Sequence, residues 1–255
     1  MKLRYLIAVA SAFLWNSASS VPVNAEDVVT VGFKGAKPPY ILAVKPYSEK
    51  DFDLSRQLGI EVDLFREAFA TVGKKIKPVY MNFKRMPAEI TAGNIDAASI
   101  LPNDVDGAFY VSEYLSLTDS YISLDNGNDK IETFNDLKGK RVLAFQNAQK
   151  FLPEEYQTAI KGAKSYREIA DQEKQVKSLV SDRADVLIMD VSIFKYLVKK
   201  HAKEGQAFRY SPLFEKPMHF PAGFATSELM KEFEMGLNQL KKTGRYEEIY
   251  QAYTE

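Results

Sequence analysis

Apolar and polar positions along the chain follow two rhythms in turn. Val28 to Phe33 is a short β-rich run, closed by Gly35 and the Pro38-Pro39 break. From Glu61 to Val72 the apolar residues fall at Val62, Phe65, Phe69 and Val72, a spacing that predicts a helix, with Gly73 as its stop. Ile76 to Met81 reads as a strand, Pro87 to Ala92 as a short helix opened by proline, and Ile95 to Leu101 as a strand. Thr118 to Leu124, Arg141 to Phe145, Val186 to Met189 and Phe220 to Ala225 predict further strands. Helices fit Pro153 to Lys161, Asp171 to Ser181, Ser192 to His201 and Glu228 to Lys242, the last with Leu229, Phe233, Leu237 and Leu240 on one face. Such alternation predicts an α/β fold with largely parallel sheets. The polar turn Asp125-Asn126-Gly127-Asn128-Asp129 separates two βα series of similar length, which suggests two lobes. A ligand would then sit in the crevice between them, near the carboxyl ends of the strands.

The first 25 residues follow a different rule. Lys2 and Arg4 precede an apolar run from Tyr5 to Trp15, and a small-residue stretch ends at Val23-Asn24-Ala25. This is the pattern of a secretory signal peptide with cleavage after Ala25. The run is short of the roughly 20 residues a membrane span needs. The expected location is the periplasm.

Composition narrows the chemistry. Of 255 residues, 34 are basic and 34 acidic, so duplex nucleic acid, which demands a basic footprint, is not an expected partner. There is no cysteine, which excludes disulfides, lipid attachment through sulfur, cysteine nucleophiles and thiolate zinc sites. Neither a P-loop nor a G-x-S-x-G elbow occurs. The two histidines, His201 and His219, have no metal-ligand spacing. His201 ends a Lys199-Lys200-His201 helix terminus, where a cation suits the dipole; His219 is read as a satisfied, partly buried histidine. No metal or cofactor is expected.

Several motifs in order resemble one family. Gly59-Ile60-Glu61-Val62-Asp63-Leu64, a helix, and then Gly93-Asn94-Ile95-Asp96-Ala97-Ala98 resemble the N-terminal lobe of bacterial extracellular solute-binding proteins of family 3, the amino-acid-type receptors of ABC importers. The Pro38-Pro39-Tyr40 loop, Asp136-Leu137-Lys138-Gly139-Lys140-Arg141-Val142 and Ser181 to Asp190 are similar to further family segments. So is the closing stretch from Leu237 through Lys242-Thr243-Gly244 to Ile249-Tyr250. The resemblance implies a type II two-lobed periplasmic binding protein fold, each lobe a mixed, mostly parallel sheet flanked by helices. Lobe I would comprise residues 26–120 and 222–255, and lobe II residues 121–221 with hinge strands at its ends. It further implies a monomer without enzyme activity, which closes on a small solute and presents it to a membrane permease.

The resemblance also implies ligand positions. Tyr40 follows the first strand, where an aromatic ring would cover the solute or simply pack on the lobe. Phe83 and Arg85 follow the second strand; Arg85 could grip a carboxylate or belong to a solvated surface pair with Lys84. Leu101 and Asn103 match a ligand-contacting loop, and Tyr110 adds an aromatic group. Phe145, Gln146 and Asn147 take the place of a turn whose backbone amides favour an acceptor. Asp190 stands where the family keeps an aspartate for an ammonium group, although beside Ser192 it could equally cap the next helix. One departure stands out: the family's carboxylate-gripping arginine would fall near Val105, and no basic residue lies between Arg85 and Lys130. Either Arg85 substitutes from another loop, or the solute lacks an α-carboxylate and is cationic or amine-bearing. Two other readings share the fold: a sensory module for a membrane signalling protein, and a periplasmic dehydratase with Glu113 as its acid.

Overall fold

The computed structural model describes residues 28–42, 54–127 and 130–255. The expected signal segment and cleavage site lie outside the described residues. In chain order the elements are β1 (Val28–Phe33), α1 (Ile60–Ala70), β2 (Lys75–Tyr80), α2 (Met86–Thr91), β3 (Ala97–Ala98), β4 (Phe109–Leu117) and β5 (Asp119–Leu124). There follow β6 (Arg141–Ala144), α3 (Ala148–Phe151), α4 (Glu154–Ala159), β7 (Ser165–Glu168), α5 (Gln172–Val180), β8 (Val186–Asp190) and α6 (Val191–Val198). The chain closes with β9 (Phe208–Pro212), β10 (Met218–Phe224), α7 (Ser227–Thr243) and α8 (Arg245–Thr254).

Two five-stranded mixed sheets result, in the orders β2-β1-β3-β10-β4 and β7-β6-β8-β5-β9. In the first, β1 runs parallel to β2 and β3, while β10 is antiparallel to β3 and β4. The second repeats the plan: β6 is parallel to β7 and β8, and β5 antiparallel to β8 and β9. With helices on their faces these form the two-lobed α/β architecture. The chain passes between sheets twice, at Thr118 and again between Pro212 and Met218. The turn at Asp125 is therefore not the point of separation: β5, which precedes it, already belongs to the second sheet.

Local chemistry explains the helix starts. Asp171, Asp190 and Thr226 each accept a backbone N–H two or three residues into α5, α6 and α7. Such a cap satisfies a donor that the helix itself leaves free. Gly244, with φ of 79°, ends α7 in the left-handed conformation that glycine adopts most cheaply. The core of the first lobe is aromatic. Phe65 stacks on Phe233 of α7 with centroids 4.4 Å apart and meets Tyr114 edge-on at 5.2 Å. In the second lobe Tyr121, Phe134 and Tyr156 form a chain of edge-on contacts.

The expected strand from Ile95 to Leu101 contracts to β3, because Leu101 turns inward over Gly223 and donates its N–H to the Pro221 carbonyl. The three strands that the pattern does not announce, β4, β7 and β9, are all sheet edges. An edge strand is half solvated and loses the clean alternation that betrays an inner one.

The edge at β4 is covered by side chains from the C-terminal helices. Lys241 donates to the Glu113 carbonyl (2.8 Å), and the Tyr246 hydroxyl donates to the Tyr114 carbonyl (3.0 Å). The Tyr250 hydroxyl accepts the Ser116 N–H and donates to its carbonyl, both at 3.1 Å. Helix α8 packs on both α1 and α6. On α1, Arg245 forks onto Glu67 at 2.7 and 2.8 Å, and Tyr253 donates to Asp63 while accepting the Gly59 N–H. Lys199, just beyond α6, donates to the Tyr253 carbonyl (3.3 Å).

Candidate functional site

The loop after β1 is held in place by helix physics. The first N–H groups of α1 have no partner within the helix, and the carbonyls of Pro39 and Tyr40 accept those of Ile60 and Glu61 at 3.0 and 2.9 Å. This contact needs glycine at 59: its φ is 121°, and a Cβ there would lie 2.4 Å from the Tyr40 carbonyl oxygen. A two-bond bridge between Lys37 and Ile41 closes the loop. Sequence therefore fixes both Lys37, which faces the interlobe space, and Tyr40, whose ring is buried.

Tyr40 reaches across the lobes. Its hydroxyl donates to Asp190 Oδ1 at 2.9 Å. The same oxygen accepts the Ile193 N–H (3.0 Å), capping α6, and Oδ2 accepts the N–H of Thr118 (2.8 Å) at the crossing between sheets. Asp190 is 2 % exposed. Burial pushes its carboxyl above the usual range, against the opposing pull of those hydrogen bonds. Helix cap and interlobe tie are thus one side chain.

Asp119 opens β5 directly opposite Asp190 in the antiparallel pair, so both carboxylates project on the same face. Like charges so placed repel. Burial, and next the charge of Asp190, push the Asp119 carboxyl up to about 6. Lys37 lies near both, and burial lowers its ammonium pKa.

These groups line a cavity of about 500 Å³ where the lobes meet. Leu117, Met218 and Phe220 from the crossing strands form one side, and Phe145, Gln146, Gln172 and Ile193 from the second lobe the other. Phe151 stands at the rim, largely exposed. Lys37 is the one cation among the described lining residues, and arginine is absent from them.

Of the residues expected to meet a ligand, Phe145, Gln146 and Asp190 line this cavity, and Tyr40 stands behind it, bonded to Asp190. Asn147, just before α3, has φ of 65°, but the amides there are already taken: Glu168 accepts the N–H of Asn147 (2.8 Å) and of Gln149 (2.9 Å). Phe83, Arg85, Leu101, Asn103 and Tyr110 are not among the lining residues. Arg85 is exposed and pairs with Glu89 at 2.5 Å, one turn on, so it is held to its own helix face. Leu101 is buried with Met86 and Ile90, Asn103 is exposed, and the Tyr110 hydroxyl braces the next loop by donating to the Pro102 carbonyl (2.7 Å). Glu113 faces away on β4, outside the cavity. His219 is exposed and bonded to Ser116 rather than partly buried, and His201 pairs with Glu173 at 2.9 Å.

Sequence reasoning passed over Lys37 and Asp119. A lysine directly before the Pro38-Pro39-Tyr40 turn was the available signal for the first. The second was visible only as a lone acid beginning a strand, because its pairing with Asp190 spans 71 positions.

Among the described residues no helix is long and apolar enough to cross a membrane. No curated protein sequence matches the chain. Solved structures do. An ancestral cationic amino acid solute binding protein aligns with a TM-score of 0.68 at 18 % identity, covering 90 % of this chain and 96 % of that one. Substrate binding domain 2 of Lactococcus lactis GlnP, in an open conformation, gives 0.67 at 21 %, covering 91 % and 97 %. A polar amino acid ABC uptake transporter substrate binding protein from Streptococcus thermophilus gives 0.69 at 18 %, covering 90 % and 86 %. At these identities the likeness concerns the fold. The sequence itself goes further, for the model of one family matches residues 29–255. The chain belongs to the bacterial extracellular solute-binding proteins, family 3.

Proposed function

We propose that the protein is a periplasmic receptor, exported by a signal peptide cleaved after Ala25, that captures a small amine-bearing solute and delivers it to the permease of an ABC importer. The observation that carries this reading is the cavity at the interlobe crossings, with two carboxylates facing one way and no arginine among its described lining residues. A cation relieves the repulsion between Asp119 and Asp190, and apolar walls hold the rest of the solute. The structural neighbours whose names specify cationic or polar amino acids support the same reading. Phe145, Gln146 and Asp190 are the previously expected residues that we place against the solute.

In this reading residues 26–120 and 222–255 move as lobe I and residues 121–221 as lobe II, hinged at the two crossings. Closure is favourable only by as much as the solute's contacts differ between the open and closed forms. The capped β4 edge fits a monomer, and membership of a solute-binding family whose solved relatives are binding proteins fits capture rather than turnover.

A thermal-shift screen of residues 26–255 against amino acids, amines, polyamines and organic acids tests the proposal. Binding to the folded state raises the melting temperature according to RT ln(1 + [L]/Kd). Shifts with amine-bearing compounds, which are recovered unchanged, are expected; shifts with organic acids alone overturn the reading.

The Asp119 carboxyl also predicts a pH dependence. Only its ionised form attracts an ammonium group, so affinity should fall below about pH 6, by about tenfold per pH unit. Stability of the ligand-free protein moves the other way. A carboxyl raised from 3.8 to about 6 favours the folded state at low pH and loses that contribution as pH rises between the two values. Melting curves of wild type and Asp119→Asn between pH 4 and 7 isolate this contribution: the wild type should lose ground to the variant as pH rises.

A further inference from the structure

We propose that Lys37 is a reactive amine that condenses with small apolar aldehydes in the interlobe cavity, holding them as an iminium whose positive charge faces Asp119. This goes beyond the capture of a free solute, and its test does not depend on which solute that is.

Lys37 stands on a fixed base. Its backbone exchanges two hydrogen bonds with Ile41, and the carbonyls of Pro39 and Tyr40 seat the same loop on α1. Its side chain is half-buried and lines the cavity, yet among the described residues neither a hydrogen bond nor an ion pair reaches its ammonium. Lys34, on the same loop, is spoken for by Glu61 at 3.9 Å. Burial, and next the charge of Lys34, lower the Lys37 ammonium pKa, against the opposing pull of Asp190, Glu61 and Asp119. An amine attacks a carbonyl only without its proton, and a lysine in water is almost wholly protonated at neutral pH. Withdrawal from water therefore raises the share of Lys37 able to react.

The condensation balances without a further reagent. The Lys37 nitrogen bonds to the aldehyde carbon, the carbon–oxygen double bond breaks, and the oxygen leaves as water with two of the three ammonium protons. Nitrogen keeps the third proton and the positive charge. Nothing is oxidised or reduced, and hydrolysis reverses the step. The cavity suits both ends of the product. Asp119 is half-buried, and among the described residues no hydrogen bond or ion pair reaches its carboxylate, so its negative charge is free to face the iminium. Both oxygens of Asp190, by contrast, are taken by Tyr40, Ile193 and Thr118. Leu117, Phe145, Ile193, Met218 and Phe220 make most of the wall apolar, and about 500 Å³ has room for an aromatic aldehyde. An aldehyde held against those walls meets the amine at high effective concentration, a gain absent at exposed lysines such as Lys84 and Lys150.

Reductive trapping tests this. The purified protein is incubated at neutral pH with benzaldehyde and sodium cyanoborohydride, and the benzylated lysines are located over time by peptide mass spectrometry. Lys37 should be modified about tenfold faster than Lys84 and Lys150, or more, and urea should abolish the difference. With glyoxylate, whose own carboxylate is repelled by Asp119 and Asp190, the advantage should vanish. Dimethylaminocinnamaldehyde reports the charge, because its iminium absorbs at longer wavelength than its neutral imine. Lys37→Arg, which keeps the charge and forms no such imine, should show no red-shifted band. In Asp119→Asn the band should be lost at a pH lower by about 1 or more than in the wild type, since an opposing charge favours the protonated imine by that much.

Modification of Lys37 no faster than of Lys84 and Lys150 in the wild type would overturn the proposal. An equal advantage with glyoxylate would overturn the assignment to apolar aldehydes, and an unchanged midpoint in a folded Asp119→Asn would remove Asp119 as the facing charge. None of these outcomes bears on solute capture, which the thermal-shift screen decides separately. The wild-type rates decide the matter even if a variant fails to fold.

Discussion

Asp190→Ala should destabilise the ligand-free protein by about 3 kcal/mol, from the sum of a lost cap and a stranded hydroxyl. The carboxylate caps α6 through Ile193, a contact worth about 1 kcal/mol. It also accepts from the buried Tyr40 hydroxyl and from the Thr118 N–H, and a buried donor left unpaired costs roughly 1–3 kcal/mol. Relief of a desolvated charge offsets part of this, which is why the full sum of three charge-assisted bonds is not expected. Urea denaturation measures the difference, and Asp190→Asn, whose amide oxygen still accepts, should recover part of it. A loss below about 0.5 kcal/mol for the alanine variant, the size of an ordinary surface change, would mean that these bonds are not what holds the lobes in register. Because one side chain serves the helix, the crossing at Thr118 and the Tyr40 loop, Tyr40→Phe should show a smaller loss in the same direction.

Gly236→Ala, a single added methyl, should cost roughly 2 kcal/mol or more. Its ideal Cβ would stand 2.1 Å from the carbonyl oxygen of Ala68 and 2.8 Å from Thr71 Oγ1. The nearest of these is backbone of α1, which cannot rotate aside as a side chain could. Alanine is the better helix former by about 1 kcal/mol, so propensity alone predicts a gain. Steric contact opposes it, because α7 must move off α1 and loosen the Phe65–Phe233 stack between them. Thermal denaturation of the variant distinguishes the two: a raised melting temperature would show that the helices separate freely at this crossing.

The outline of the fold was legible because its inner elements carry clean periods. β1, β6 and β8 are apolar runs bounded by turns, and the helical face from Leu229 to Leu240 appears in the structure with Phe233, Leu237 and Leu240 buried. The edge strands β4, β7 and β9 escaped notice for the opposite reason, although the edge strand β2 was legible. The site was legible only in part. Asp190 could be read as a cap or a ligand group, and its capping bonds follow from local chain order. Asp119 and Lys37 carry no local mark, since what makes them distinctive is a strand pairing and a loop seated on α1 from elsewhere in the chain. The missing arginine was visible in sequence; that Lys37 faces the cavity was not.

The hydroxyls and ammonium laid along β4 bear on how such a chain behaves when crowded. A nine-residue strand at the border of a sheet offers other chains a row of unsatisfied amides and carbonyls to copy. Here Tyr246, Tyr250 and Lys241 already occupy the groups at Glu113, Tyr114 and Ser116. An incoming strand would have to strip off the last two helices before it could pair. Truncation after Gly244, which removes Tyr246 and Tyr250, is therefore expected to bare the groups at Tyr114 and Ser116 and leave this edge open to pairing.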